Sequence, residues 1–124
     1  MKKLCVCAGI MFCLMLCIQQ AVAAEPIKIG ALFAVTGPAA YLGEPEKNTV
    51  LMVQEQVNAA GGINGRPIEI IVEDTEGDEA KTVMKAKKLI TQDNVVAIVG
   101  PTRSGTTMAA IPIVEKYEVP MISC

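Results

Sequence analysis

Four short, predominantly apolar runs divide the chain: Ile27 to Phe33, Ile68 to Val72, Val95 to Val99 and Val119 to Ser123. Between them lie longer stretches with helical spacing. Runs that are apolar on consecutive residues have no face suited to water, so as strands they need cover on both sides. Parallel strands also need crossovers of about a dozen residues or more, and the intervening stretches supply them. The order predicts a β-α-β-α-β-α-β chain. The expected fold class is α/β, a parallel doubly wound sheet with right-handed crossovers.

The first helical stretch runs from about Ala39 to Ala60. Val50, Val53, Val57 and Ala60 recur at spacings of three and four and share one face. Glu44, Glu46, Lys47, Glu55 and Asn58 fall mostly elsewhere. Gly61-Gly62 ends the helix, because glycine reaches the left-handed conformation that a C-terminal cap needs. Gly37-Pro38 and Asn64-Gly65-Arg66-Pro67 read as turns. The second helix covers Lys81 to Thr91, with Val83, Ala86, Leu89 and Ile90 inward and Lys81, Lys85, Lys87 and Lys88 outward. The third is expected over Ala109 to Tyr117, with Pro112 in its first turns if it starts near Thr107.

The first 24 residues do not fit this pattern. Lys2 and Lys3 precede an apolar or small-residue run from Leu4 to Ile18, 15 residues long, then Gln19-Gln20 and Ala21-Val22-Ala23-Ala24. A charged start, a short apolar centre and small residues before a cut describe a secretory signal peptide over 1–24, cleaved after Ala24 or Ala23. A transmembrane helix would need about 20 apolar residues. A lipid anchor on Cys17 would need a small residue before it, and Leu16 is large. Four of the five cysteines fall in this leader, leaving only Cys124 in the mature chain. The compartment, expected to be periplasmic, is therefore argued from the leader and not from disulfides. Loss of Lys2 and Lys3 leaves nine basic residues against 13 acidic ones, a net charge of −4. Such a chain offers no electrostatic footing for nucleic acid. Residues 25–124 suffice for one small domain, but they stop inside the fourth strand. They are read as a truncated N-terminal lobe.

Ligands of doubly wound sheets bind outside the carboxyl ends of the strands, near the topological switch point. That directs attention to Ala34 to Tyr41 and Gly100 to Thr107. The second loop carries Thr102, Arg103, Ser104, Thr106 and Thr107 at a helix start, where free backbone N–H groups and the dipole favour an anion. Ser104 or Thr106 could instead cap that helix. Other chemistries lack their residues. The phosphate-loop ending Gly-Lys-Ser/Thr is missing. Ala34 to Ala39 contains a single glycine where a dinucleotide fingerprint needs three. There is no histidine for a Ser-His-Asp triad, and zinc lacks ligands. No acidic residue follows the first strand, as a phosphoacceptor domain would require. No cofactor is implied. Glu73, Asp74, Glu76, Asp78 and Glu79 form either a cation site or, as favoured here, a solvated loop and charged helix start.

Ile27-Lys28-Ile29-Gly30, Thr36 to Gly43 (TGPAAYLG) and Asn58 to Arg66 (NAAGGINGR) resemble the opening of type I periplasmic binding proteins, nearest to the leucine/isoleucine/valine-binding proteins of ABC transporters. Val95 to Gly100, the Ser/Thr loop and Tyr117 to Ser123 continue the resemblance across the mature chain. It implies a two-lobed fold that traps a small amino acid and delivers it to an inner-membrane permease, without catalysis. It implies that Ser104 contacts the ligand carboxylate and that Tyr41 lies beside the ligand, with Thr106 and Thr107 as weaker candidates. Arg103 departs from the small or apolar residue that some members carry. Competing readings are a sensory ectodomain of the same fold, an exported α/β enzyme whose catalytic residues lie elsewhere, and a gene fragment without function.

Overall fold

The computed structural model describes residues 24–124. The segment read as a leader falls, apart from Ala24, outside them. The elements are β1 (Ile27–Phe33), α1 (Ala40–Ala59), β2 (Ile68–Asp74), α2 (Glu79–Thr91), β3 (Ala97–Val99), α3 (Ser104–Lys116) and β4 (Met121–Ile122). All strand pairs are parallel, in the order β2-β1-β3-β4. The expected fold class and element order are both found.

The sheet reverses direction once. The chain moves from β1 outward to β2, then returns past β1 to β3 and on to β4. Right-handed crossovers in opposite directions put α1 on one face and α2 with α3 on the other. In agreement, α2 packs against α3, while α1 contacts β1 and β2. On the α2/α3 side the core is Leu32, Ala86, Leu89, Val95, Ile98 and Val114. Strand alternation turns Gly30 and Leu32 toward that core and Ala31 and Phe33 away from it. All three side chains are fully buried. A Cβ on Gly30 would lie 2.8 Å from Leu89 Cδ1, so the helix approaches the sheet where a side chain is missing.

Several elements depart from the sequence reading: β2 runs on to Asp74, α2 starts two residues early at Glu79, and β4 is only Met121–Ile122, with Ile122 exposed. α3 begins at Ser104, five residues before Ala109, so Pro112 lies deep in the helix and not in its first turns. The proline is tolerated because it faces solvent, where the carbonyl it leaves unpaired can reach water. β3 is shorter than Val95 to Val99. Val95 packs into the core and Val96 only leads in, its amide bonding the Lys28 carbonyl. In α1, Val53 is exposed, whereas Gln54 and Asn58 face the sheet. The Asn58 amide both accepts from Ile68 N (2.8 Å) and donates to its carbonyl (2.9 Å), and Gln54 Oε1 accepts from Ile70 N at 2.6 Å. β2 is the outer strand, and unpaired strand amides recruit neighbours unless covered. The two amide side chains close that edge, which explains why polar groups occupy the inward face.

Candidate functional site: a crevice at the carboxyl ends of β1 and β3

β1 and β3 are adjacent, and their chains depart to opposite sides of the sheet. The gap between their following loops is therefore the switch-point crevice, flanked by the two segments singled out from the sequence. Its floor is tied together by side chains from three elements. The Ala34 amide donates to Thr102 Oγ1 (3.0 Å), and that hydroxyl donates to Glu46 Oε2 on α1 (2.5 Å). Thr102 is 8% exposed. The next two amides, Val35 and Thr36, donate to Asp74 Oδ1 at 3.0 and 3.3 Å, and Thr36 Oγ1 donates to Oδ2 at 2.6 Å. The amide of Glu76 joins the same carboxylate at 2.9 Å. Burial pushes the Asp74 carboxyl up, but these donors outweigh it and hold it below the ordinary aspartate value.

Two glycines permit the close approach. A Cβ on Gly43 would fall 2.2 Å from the Ala34 carbonyl oxygen, so α1 rests directly on the end of β1. Gly100 has φ +93 and its Cβ position lies 2.4 Å from the Leu32 carbonyl oxygen, which restricts the turn out of β3 to glycine.

α3 starts at the rim of this crevice. Its N-cap is Arg103, extended at φ −128, with no side-chain cap. Ser104 and Thr106 therefore do not cap the helix, contrary to the simpler reading of the sequence. The Arg103 carbonyl instead accepts from Thr107 N (2.8 Å), Thr106 Oγ1 (2.7 Å) and Thr107 Oγ1 (3.0 Å). Thr106 is 2% exposed with its hydroxyl turned inward. Thr107 is half-buried and also meets Ser123 Oγ at 2.8 Å. Ser104 is exposed, and among the described residues its hydroxyl has no partner. Nor do the amides of Ser104, Gly105 and Thr106 have acceptors there. Tyr41, in the first turn of α1, is 75% exposed. Ser104 and Tyr41 thus stand open on the two helices that leave the crevice strands, while Thr106 and Thr107 are engaged within the protein.

The acidic run has structural uses. Glu73 is nearly buried and lies between the ammonium groups of Lys85 (2.6 Å) and Lys88. Burial raises its carboxyl pKa, but the two lysines outweigh that and leave it lowered. Lys85 and Lys88 consequently lie along the sheet edge and are not free in solvent as their spacing suggested. Asp78 Oδ1 caps α2 by accepting from Lys81 N at 2.7 Å, and Glu76 pairs with Lys81 at 2.6 Å. Glu76, Asp78 and Glu79 bear out the loop and charged helix start, whereas Glu73 and Asp74 are the last residues of β2, with Glu73 buried, and not a solvated loop. Glu46, Thr102 and Asp74 were not recognised as parts of one site from sequence. Asp74 and Thr102 carry a weak signal as short polar side chains at strand ends, and Glu46, inside α1, carries none.

A separate open depression of about 680 Å³ is lined by Glu25, Pro26, Ile27, Lys28, Arg66, Asn94 and Val96. It lies at the amino ends of β1 and β3, on the wrong edge of the sheet for a switch-point ligand. Its size alone does not outweigh the crevice, where an unsatisfied helix start and a tied loop floor coincide.

Residues 26–124 match the periplasmic binding protein family. Over 105 residues the chain is 38% identical to the leucine-, isoleucine-, valine-, threonine- and alanine-binding protein of Pseudomonas aeruginosa, covering 85% of this chain and 28% of that protein. It is 30% identical to the Leu/Ile/Val-binding protein of Escherichia coli over 111 residues, 90% of this chain and 30% of the relative. The branched-chain amino acid transporter substrate-binding protein LivJ of Streptococcus pneumoniae, solved in complex with isoleucine, superposes with a TM-score of 0.77 at 39% identity. It covers 79% of this chain and 28% of LivJ. The leucine-binding protein LivK of Thermotoga maritima gives 0.72 at 25% identity, over 78% of this chain and 27% of LivK. The chain thus spans less than a third of the length of the relatives it matches. With the parallel sheet, its single switch point and the open start of α3, these likenesses establish that the chain belongs to the periplasmic binding protein family, in its type I leucine/isoleucine/valine-binding branch.

Proposed function

We propose that residues 25–124 form one wall of the ligand cleft of an exported solute-binding protein, after removal of a signal peptide at 1–24. The protein captures small amino acids, of the branched-chain type, outside the inner membrane and passes them to an ABC transporter permease. It binds and does not catalyse. The observation that carries this reading is the start of α3 at the rim of the crevice, where the Ser104 hydroxyl is exposed and three amides have no acceptor among the described residues. A ligand carboxylate there would meet a hydroxyl donor, backbone N–H groups and the positive end of a helix dipole. Tyr41, across the β1–β3 gap, would lie beside the ligand. Thr106 would contribute through its backbone amide and Thr107 through the shape of the turn alone, since the Thr107 amide and both hydroxyls hold the Arg103 carbonyl.

The test is titration of the protein encoded by the complete reading frame with leucine, isoleucine, valine, threonine and alanine by calorimetry. Binding to at least one is expected, weakened by Ser104→Ala. Loss of one hydrogen bond to a charged carboxylate costs about 1.5–3 kcal/mol. Absence of binding, or unchanged affinity in the variant, contradicts the reading. A second reading has one observation in its favour: 33% identity over 89 residues to the chemotactic signal transduction substrate-binding protein BasB of Halobacterium salinarum. It retains the amino-acid site but replaces the permease with a receptor. Co-purification of the ligand-loaded protein with a permease or with a receptor separates the two.

A further inference from the structure

We propose that Glu46 and Thr102 act as a positioning pair for the ligand-facing crevice, coupling the helix that carries Tyr41 to the turn that carries Ser104. The proposal deepens the binding function above and rests on it for its consequence in affinity. Thr102 lies two residues before Ser104, and Glu46 lies on α1 just over one turn beyond Tyr41. The Thr102 hydroxyl is used twice. It accepts the Ala34 amide at the end of β1 and donates to Glu46 at 2.5 Å. Three elements, β1, α1 and the loop into α3, therefore meet at one buried oxygen.

The direction of each bond is forced. The Ala34 amide can only donate, so Thr102 Oγ1 must accept it. The hydroxyl hydrogen is then free to point at an acceptor, and the Glu46 carboxylate can only accept. Ala34 is fully buried, so no water replaces the lost partner if the hydroxyl is removed. The contact of Gly43 with Ala34 leaves the end of β1 little room to relax on the α1 side. Asp74 fixes the following two amides from the other side. The position of Ser104 relative to Tyr41 thus depends on one hydroxyl and one carboxylate that need not touch the ligand.

The experiment compares wild type, Thr102→Val, Thr102→Ser and Glu46→Ala in the protein from the complete reading frame. Amide hydrogen exchange is measured without ligand, and amino-acid affinity by calorimetry. Thr102→Val keeps the shape and removes the hydroxyl. It is expected to speed exchange at Ala34 and across Gly100 to Thr107 roughly tenfold and to weaken binding by a similar factor, the effect of one unsatisfied buried donor. Glu46→Ala, a mild change for a helix, should act in the same direction and serves if Thr102→Val does not fold. Thr102→Ser restores both readouts, which a purely space-filling role for the threonine would not predict. Unchanged exchange in both Thr102→Val and Glu46→Ala overturns the pair, as does a serine variant no better than valine. If the wild type binds none of the amino acids, the functional reading fails, and the exchange comparison still decides whether the pair holds the crevice.

Discussion

Asp78 and Arg103 occupy equivalent places in successive βα junctions, each just before a helix of 13 residues. They begin those helices in opposite ways. Asp78 is extended and its carboxylate accepts the Lys81 amide, so α2 carries its own anion at its positive end. Arg103 is also extended, but its side chain caps nothing, and the first three amides of α3 stay without acceptors among the described residues. The hydroxyls that could cap α3 are turned back to the Arg103 carbonyl. Both junctions lie on the same edge of one sheet. A junction that supports the fold satisfies its helix start internally, whereas a junction that receives a ligand leaves it open. On this comparison the α2 start is structural, and the α3 start is the one we propose faces the ligand.

The sharpest division between the two junctions comes from exchanging their losses. Ser104→Ala should weaken amino-acid binding about 10- to 150-fold, equivalent to 1.5–3 kcal/mol, with little change in melting temperature. Asp78→Ala should do the reverse. It removes a cap and costs about 1 kcal/mol of stability by denaturant titration, while affinity stays at the wild-type value. Equal effects of the two variants on binding would erase the distinction. A smaller effect is expected from placing a carboxylate within the first turn of α3, where the Glu79 carboxylate already lies beside Gly105. Ser104→Asp places a carboxylate in the first turn, stabilises the fold by about 0.3–1 kcal/mol, and competes with the ligand carboxylate so that affinity falls.

The weakest signal concerns the floor between the junctions. The Asp74 pKa is lowered on folding from the ordinary 3.8 by its hydroxyl and amide donors, against the upward push of burial. The ionised carboxylate therefore contributes stability that is complete above that value and is lost as pH falls through the folded pKa. Melting temperature should fall on acidification in this range. Asp74→Asn should flatten that dependence, because its side chain does not ionise. A variant with an unaltered acid profile would show that the carboxylate charge does not hold the β1 loop.

The contrast between junctions also marks how far the sequence could be read. β1 was legible to the residue, because an apolar run followed by Gly37-Pro38 has few alternatives. The parallel α/β class was legible for the same reason in all four runs. The start of α3 was not. Ser104, Thr106 and Thr107 are poor helix formers in isolation and read as a loop. Burial of Thr106 and the contact of Thr107 with Ser123 add to the local bonds of both threonines to Arg103 in fixing them as a first turn. The inward face of α1 was misjudged at Val53, because hydrophobic periodicity has no way to register that a strand edge needs amides such as Gln54 and Asn58. Ser104 and Tyr41 could be nominated from sequence since a resemblance pointed to them. Glu46 and Thr102 are 56 residues apart, and nothing in local spacing pairs them.

The central claim is that the α3 start, and not the capped α2 start or the depression beside Lys28 and Arg66, receives the ligand. Backbone amide NMR of the protein from the complete reading frame, titrated with leucine or another amino acid that it binds, tests this directly. The account predicts that the largest shifts fall on Ser104, Gly105 and Thr106, followed by Ala34 to Tyr41, with Glu79 to Lys81 unmoved. Shifts centred on Lys28, Arg66 and Val96, with Ser104 to Thr106 silent, would contradict it.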